Sequence, residues 1–252
     1  MREKEAAIIV AGGKGLRLPG DTPKQFLPIG GLPVIMHTIN AFYAYDPSIE
    51  IILVLPTSDF PRWEELCRRY AFHKPLRLVS GGQTRYHSVK NGLAHVVGPG
   101  IVAVHDGVRP LITTVIIARS FEVARKSGSA VTAVSLKESI REIFDTSVDP
   151  ASDPDLTVIE GKSGDGFRHQ SSKALDRSRY RLMQTPQTFD IALLQSAYSA
   201  SQDDSVTDDA SVMEMAGHAI TLVEGSYENL KITTPEDLVV AEAILKSRTK
   251  ST

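Results

Sequence analysis

The sequence predicts an α/β fold: an open, mostly parallel sheet with helices on both faces. Short apolar runs alternate with longer helical patterns through the first half of the chain, an order that sets a helix between successive parallel strands. Most of these runs are continuously apolar, as strands covered on both faces are. With 252 residues, 42% hydrophobic and 23% charged, the chain has ordinary globular composition and suits one large domain, or one domain with an extension.

Taken in order, Ala6–Val10 is the first strand, a buried run that stops in glycines. Pro33–Tyr45 follows as a helix, with Pro33 in the first turn, where a missing N–H costs little. Ile49–Leu55 and Pro61–Tyr70 repeat the pair, again with a first-turn proline. Leu76–Val79, Ile101–His105 and Ala130–Ser135 read as further strands, Tyr86–Val96 and Thr114–Lys126 as further helices, and Gly128 as the stop of the latter. From Glu138 to Arg181 polar residues dominate, with Asp-Pro at 149–150 and 153–154 and the run Glu160-Gly161-Lys162-Ser163-Gly164-Asp165-Gly166. That is too long for a plain connection in a compact domain. Residues 138–182 are therefore expected to form an insertion within a single domain of 1–252, either mobile or an arm packed on another subunit. Asp190–Ala200 is helical with Asp190 as cap. Asp208–Ala216 is a helix stopped by Gly217, Ile220–Val223 a strand, and Pro235–Lys246 a closing helix with Thr234 as cap and Asp237 in its first turn.

The net charge of −2 gives no reason to expect nucleic acid as a partner. Cys67 is the only cysteine, so no intrachain disulfide can form, and its place beside Leu66 in a helical stretch makes it a packing residue. The segment Met1-Arg2-Glu3-Lys4-Glu5 is charged and runs directly into a strand, with no apolar signal core and no run long enough to span a bilayer. A cytoplasmic protein with no membrane partner is expected.

Ala11-Gly12-Gly13-Lys14-Gly15-Leu16-Arg17, followed by Pro23-Lys24-Gln25-Phe26, carries the most information. Glycines after a strand let the backbone approach an anion, and successive N–H groups form a nest for it. Arg17 adds a planar fork of donors and Lys24 a point charge, which suits charge building up on a phosphate during reaction. A dinucleotide fingerprint would need glycine where Leu18 stands; a P-loop would need Ser or Thr at Gly15 and an earlier glycine at Ile8. The plain alternative is a strand-to-loop turn. Gly81-Gly82-Gln83-Thr84-Arg85-Tyr86-His87-Ser88 brings Ser88 to a helix N-terminus that attracts acceptors, or is a glycine turn with a cap. Asp106 in His105-Asp106-Gly107-Val108-Arg109-Pro110 ends a strand and either holds Mg²⁺ or a sugar hydroxyl, or pairs structurally with Arg109. The seven histidines have no zinc spacing, and no Gly-x-Ser-x-Gly elbow is present. Arg177 and Lys231, taken alone, read as surface charges.

Seven segments occur in order: Ala11-Gly12-Gly13-x-Gly15-x-Arg17, Pro23-Lys24-Gln25-Phe26-Leu27-Pro28, Gly81-Gly82-x-x-Arg85-x-x-Ser88-Val89, Val104-His105-Asp106-x-x-Arg109-Pro110, Gln184-Thr185-Pro186-Gln187-x-Phe189, Thr207-Asp208-Asp209-Ala210-Ser211 and Asn229-x-Lys231-Ile232-Thr233. This string resembles the 2-C-methyl-D-erythritol 4-phosphate cytidylyltransferase family of the non-mevalonate isoprenoid pathway, from about Ala6 to Leu245. The resemblance implies a three-layer Rossmann-like nucleotidyltransferase fold with an extended dimerisation arm. It implies transfer of a cytidylyl group from CTP to methylerythritol phosphate, with Mg²⁺ and release of pyrophosphate. Carried over by position, Arg17 and Lys24 stabilise the α-phosphate. Ala11, Gly12, Gly13 and Gly15 hold CTP through the backbone, and Gly82 and Ser88 contact the cytosine region. Asp106 meets the sugar or the metal. Arg177 and Lys231 place the acceptor phosphate, with Ser139, Arg109 and Thr207 nearby, and Arg177 completes the site of the other protomer in a homodimer.

The sequence departs from the family pattern where Gly107-Val108 replaces the common Ala-Ala, where Ser139 stands for a usual threonine, and in an arm between Glu142 and Lys173 that is longer than expected. Ribitol 5-phosphate cytidylyltransferases share the fold and most of these segments and form the alternative; Thr207-Asp208-Asp209-Ala210-Ser211 and the placement of Asp176-Arg177 favour methylerythritol phosphate. A catalytically dead nucleotide sensor would be expected to have lost Arg17 or Lys24, and a Rossmann oxidoreductase is disfavoured by Leu18.

Overall fold

The computed structural model describes residues 3–12, 22–145, 170–201 and 205–250. The chain forms two compact units, Met1–Val134 with Met183–Thr252, and Ser135–Leu182.

In the first unit, β1 (Lys4–Val10) is followed by a small hairpin, β2 (Pro28–Ile29) and β3 (Leu32–Pro33), and by α1 (Val34–Tyr45). Then come β4 (Glu50–Leu55), α2 (Phe60–Arg69), β5 (Arg77–Ser80), α3 (Arg85–Leu93), β6 (Gly100–Asp106), α4 (Thr114–Ser127) and β7 (Ser129–Ser135). The second unit contains the antiparallel pair β8 (Arg141–Asp145) and β9 (Gln170–Ala174). The chain returns through β10 (Arg181–Asp190), α5 (Ile191–Ala200), α6 (Asp209–Met215), β11 (Leu222–Glu224) and α7 (Pro235–Lys250). The seven-stranded sheet has the order β11-β7-β10-β6-β1-β4-β5. β6, β1, β4 and β5 run parallel, as do β7 and β11, and β10 lies antiparallel to β6.

β1 sits near the middle of the sheet, and its side chains feed two cores. Ala7 and Ile9 pack with Phe42 of α1 and Phe121 of α4 on one face. Ala6, Ile8 and Val10 pack with Val89 of α3 and Phe189 and Tyr198 on the other. Burial on both faces is the physical reason the strand is apolar throughout. Gly128 ends α4 with φ of 79°, the left-handed cap expected of it. Pro33 differs from expectation: with φ −54° and ψ 139° it is still extended, closes β3 and caps α1 rather than lying inside it. β10 was not legible as a strand, because Gln184, Thr185 and Gln187 are polar and Pro186 lacks a ladder donor. These polar side chains are nevertheless buried, and each has a hydrogen-bond partner.

Candidate active site

The carboxyl ends of β1 and β6 lie side by side, with Val10 in register with Asp106. In open α/β sheets this edge is where ligands bind. The Ala11 N–H donates to Val54 O at 3.0 Å and the Gly107 N–H to Val10 O at 2.8 Å, so both strand-end loops are fixed at their first residue. Gly107 is needed there for space: a Cβ on it would stand 2.8 Å from the Cβ of Ala11. Its carbonyl accepts from the buried Thr38 hydroxyl at 3.0 Å. Val108 packs into an apolar cluster with Ile29, Leu111 and Ile232. The Gly107-Val108 pair thus serves close packing behind the loop.

Asp106 is the centre of the site. Its Oδ2 meets Lys231 Nζ at 3.1 Å and Arg109 Nε at 3.2 Å, and its Oδ1 faces Arg85 Nε at 3.7 Å. Burial alone would raise the pKa of this carboxyl, yet Lys231, Arg85 and Arg109 together outweigh burial and hold it well below the ordinary carboxylate range. Of the two readings of Asp106 left open by the sequence, the structure shows the pairing with Arg109, at a strand end on the edge where ligands bind in such sheets. Arg109 is itself buried and donates from Nη1 to Asn229 O at 2.8 Å. Asn229, fully buried, donates to Thr185 O at 2.8 Å, and the Thr185 hydroxyl accepts the Asp106 N–H at 3.0 Å. A closed ring of hydrogen bonds thus ties β6, β10 and the loop before α7 together behind the carboxylate.

The turn at Gly81–Thr84 enters α3 tightly. A Cβ on Gly82 would lie 2.3 Å from His87 Cβ, so the helix passes too close for any side chain. The Ser88 hydroxyl accepts from Gly82 N–H at 3.1 Å and donates to Thr84 O at 3.0 Å. Ser88 is buried and Gly82 exposed, so the hydroxyl braces the turn from within while the glycine backbone faces out. Arg85 opens α3 and reaches Asp209 Oδ2 at 2.6 Å.

Lys24 is half-buried in a single 3₁₀ turn, Lys24–Phe26, which Phe26 anchors in the core. Gly12 and Thr207 are exposed and Ala11 is buried. Arg17, Gly13 and Gly15 lie outside the described residues. In the second unit, Ser139 and Arg177 are both exposed. Arg177 opens a short 3₁₀ turn capped by Asp176, whose Oδ1 accepts from Ser178 N–H at 3.0 Å, and it donates to Lys137 O. Arg85, Asp209 and Asn229 received no role from the sequence, although each stands inside one of its seven segments. The available signal was place: Arg85 at the start of a helix after a glycine turn, Asp209 beside Asp208, and Asn229 two residues before Lys231.

No group of three or more His, Cys, Asp or Glu among the described residues could hold a metal ion. Asp106 is a single carboxylate whose oxygens already face three cations, so a magnesium ion there would depend on substrate phosphate oxygens and water for its other ligands.

A mostly parallel sheet whose first strand leads in sequence into a glycine run, with an ion-paired carboxylate at the adjoining end of β6, is an arrangement that nucleotide-binding α/β proteins use. The sequence model of the 2-C-methyl-D-erythritol 4-phosphate cytidylyltransferase family matches residues 6–153 and 162–247, and the chain belongs to that family. A relative from Phocaeicola vulgatus bearing the same name is 46% identical over 238 residues, covering 94% of this chain and 98% of that protein. One from Porphyromonas gingivalis is 42% identical over 248 residues, covering 98% of this chain and 100% of that protein. Among solved structures, the 4-diphosphocytidyl-2C-methyl-D-erythritol synthase of Anaerococcus prevotii superposes with a TM-score of 0.74 at 26% identity, covering 97% of this chain and 99% of that one. The Thermus thermophilus cytidylyltransferase superposes with a TM-score of 0.68 at 28% identity, covering 97% and 100%.

Proposed function

We propose that this chain transfers the cytidylyl group of CTP to 2-C-methyl-D-erythritol 4-phosphate. The observation that supports this most directly is the Asp106–Lys231 pair beside the glycine-rich end of β1. An oxygen of the acceptor phosphate attacks the α-phosphorus of CTP; that bond forms as the bond to pyrophosphate breaks, and pyrophosphate leaves. No enzyme nucleophile is required, so the work is positioning and charge neutralisation. Gly12, Gly13 and Gly15, with Ala11 fixed at their root by its bond to Val54, hold CTP through backbone groups, and Arg17 and Lys24 meet the charge that grows on the α-phosphate. Gly82 offers its exposed backbone to the base, with Ser88 bracing it. Lys231 and Arg177 place the acceptor phosphate, with Ser139 and Thr207 beside it and Arg109 acting from behind Asp106.

Asp106 would hold Mg²⁺ or a ribose hydroxyl; the ion, when bound, neutralises phosphate charge. The chain would work as a cytoplasmic homodimer in which the arm of one protomer carries Arg177 to the other. No helix among the described residues is long and apolar enough to cross a membrane, and exposed apolar residues such as Ile143, Tyr180 and Leu182 in the second unit suit a covered surface. The test is pyrophosphate release from CTP and Mg²⁺ with methylerythritol 4-phosphate and ribitol 5-phosphate offered side by side. Preference for the first is expected; preference for the second would move the acceptor assignment and leave the CTP site standing.

A further inference from the structure

Arg85 joins three parts of the site. As the first residue of α3 it follows directly on the Gly81–Thr84 turn. Its Nη2 donates to Asp209 Oδ2 at 2.6 Å and its Nε faces Asp106 Oδ1 at 3.7 Å. Asp209 is fully buried and held from every side. Its other oxygen accepts from Tyr198 OH at 2.6 Å. Its N–H and that of Ala210 both donate to Gln187 Oε1 at 2.9 Å, while Gln187 Nε2 donates to Asp208 Oδ2 at 2.9 Å. Asp209 is thus an immobile anchor, and the guanidinium it fixes is aimed at the catalytic-edge carboxylate.

The two oxygens of Asp106 are treated differently. Lys231 and Arg109 both bind Oδ2, and among the described residues Arg85 is the cation that faces Oδ1. Without Arg85, the carboxylate is free to turn toward the Oδ2 pair. Burial disfavours charge on Arg85, but Asp209 and then Asp106 more than restore it, so it stays charged at any pH at which the protein is folded.

We propose that Arg85 is a positioning residue of this site, setting the orientation of Asp106, and that Asp209 acts on the reaction through Arg85. The inference rests on the cytidylyl-transfer reading above. Arg85 meets the two carboxylates through different nitrogens, Nη2 and Nε, and the single nitrogen of a lysine cannot occupy both positions, so Arg85→Lys keeps the pair with Asp209 and loses the hold on Asp106.

The experiment compares pyrophosphate release from CTP and methylerythritol 4-phosphate by wild type, Arg85→Lys, Asp209→Asn and the double variant, with urea unfolding of each. Arg85→Lys and Asp209→Asn are each expected to lower kcat by about tenfold or more, with KM for CTP within about threefold. The double variant is expected to be no slower than Arg85→Lys alone, because residues acting through one contact are not additive. A purely structural role would shift the unfolding midpoint and leave kcat intact under folding conditions. Wild-type kcat in folded Arg85→Lys, or losses that multiply in the double variant, overturn the inference. If Arg85→Lys does not fold, Asp209→Asn decides alone: it preserves shape and the Tyr198 contact, and normal kcat in it overturns the proposal. An inactive wild type would overturn the functional reading itself; an active wild type with independent variant effects overturns only this one.

Discussion

Lys231 sets its ammonium 3.1 Å from Oδ2 of Asp106, its side chain 42% exposed while that of Asp106 is 8% exposed. The pair joins the loop before α7 to the end of β6 and leaves one partner reachable from solvent. An exposed pair contributes about 0–1 kcal/mol, and removing a partner of a buried charge costs about 3–5 kcal/mol when that charge is left uncompensated; Asp106 is buried but keeps Arg109 and Arg85 when Lys231 is removed. Lys231→Met is therefore expected to lower stability in urea unfolding by about 1–2 kcal/mol, between these limits. Its kcat/KM for the acceptor should fall by about a hundredfold or more, the scale of a lost charge-stabilising donor. A large loss of stability with normal kinetics would make the lysine a structural tie instead.

Gly107 carries the second prediction. Adding one methyl there brings it 2.8 Å from Ala11 Cβ and 3.3 Å from both Ile9 Cγ2 and Val10 O. The backbone carbonyl among these cannot swing aside as a long side chain would. Gly107→Ala should cost about 1–3 kcal/mol as an overpacking change. Because the displaced residue is Ala11, at the root of the glycine run, KM for CTP should rise in step. Urea unfolding and CTP titration of rate test the two effects, and a neutral variant would mean that the neighbouring loops yield.

A third prediction concerns acid. His105 is fully buried with its ring edge-on to Phe42 at 5.2 Å. Burial disfavours its charged form and takes its pKa down to about 3, although Asp106 pulls in the opposite direction. The unfolded chain binds that proton near pH 6.5 and the folded chain does not until far lower. Between these limits the unfolded state holds the extra proton, so stability falls as pH falls, by up to about 1.4 kcal/mol per pH unit. Above pH about 6.5 the residue contributes no pH dependence. His105→Phe should flatten the fall of the urea midpoint between pH 6 and pH 4 by about one proton's worth. An unchanged slope would assign the acid sensitivity to other groups.

The parallel half of the fold was legible because its strands are covered on both faces; Ala6–Val10 can be read as buried from its composition alone. The strand β10 was not, since its polar residues are buried by partners distant in sequence, such as Thr132 Oγ1 on Pro186 O at 2.7 Å. The same limit governs the site. Asp106 and Ser88 could be picked out by residue type and place, and Lys231 only through the family resemblance, but the sequence does not reveal that Arg109 and Asn229 form a ring behind Asp106, or that Asp209 fixes Arg85. Those contacts exist only once β10, α6 and the loop before α7 have closed on β6. Gly107-Val108, a departure in sequence, proves to be a packing solution in which glycine fits against Ala11 and valine joins the Ile232 cluster.

The last prediction separates a site built within one chain from one built across a dimer. Arg177 is exposed in the second unit, in a turn held by Asp176, whereas Lys24 belongs to the first. If the arm completes the partner's site, Lys24→Ala and Arg177→Ala homodimers should each be nearly inactive, yet a mixed dimer contains one site with both side chains and one with neither. Random reassortment of equal amounts makes half the dimers mixed, so about a quarter of all sites should recover in a symmetric dimer. Activity of the reassorted mixture, with mixed dimers verified by distinct tags, provides the readout. Recovery near that fraction requires Arg177 to act in the other protomer. No recovery in the presence of verified mixed dimers would place both residues in the site of a single chain, and the arm would then have to fold back on its own subunit.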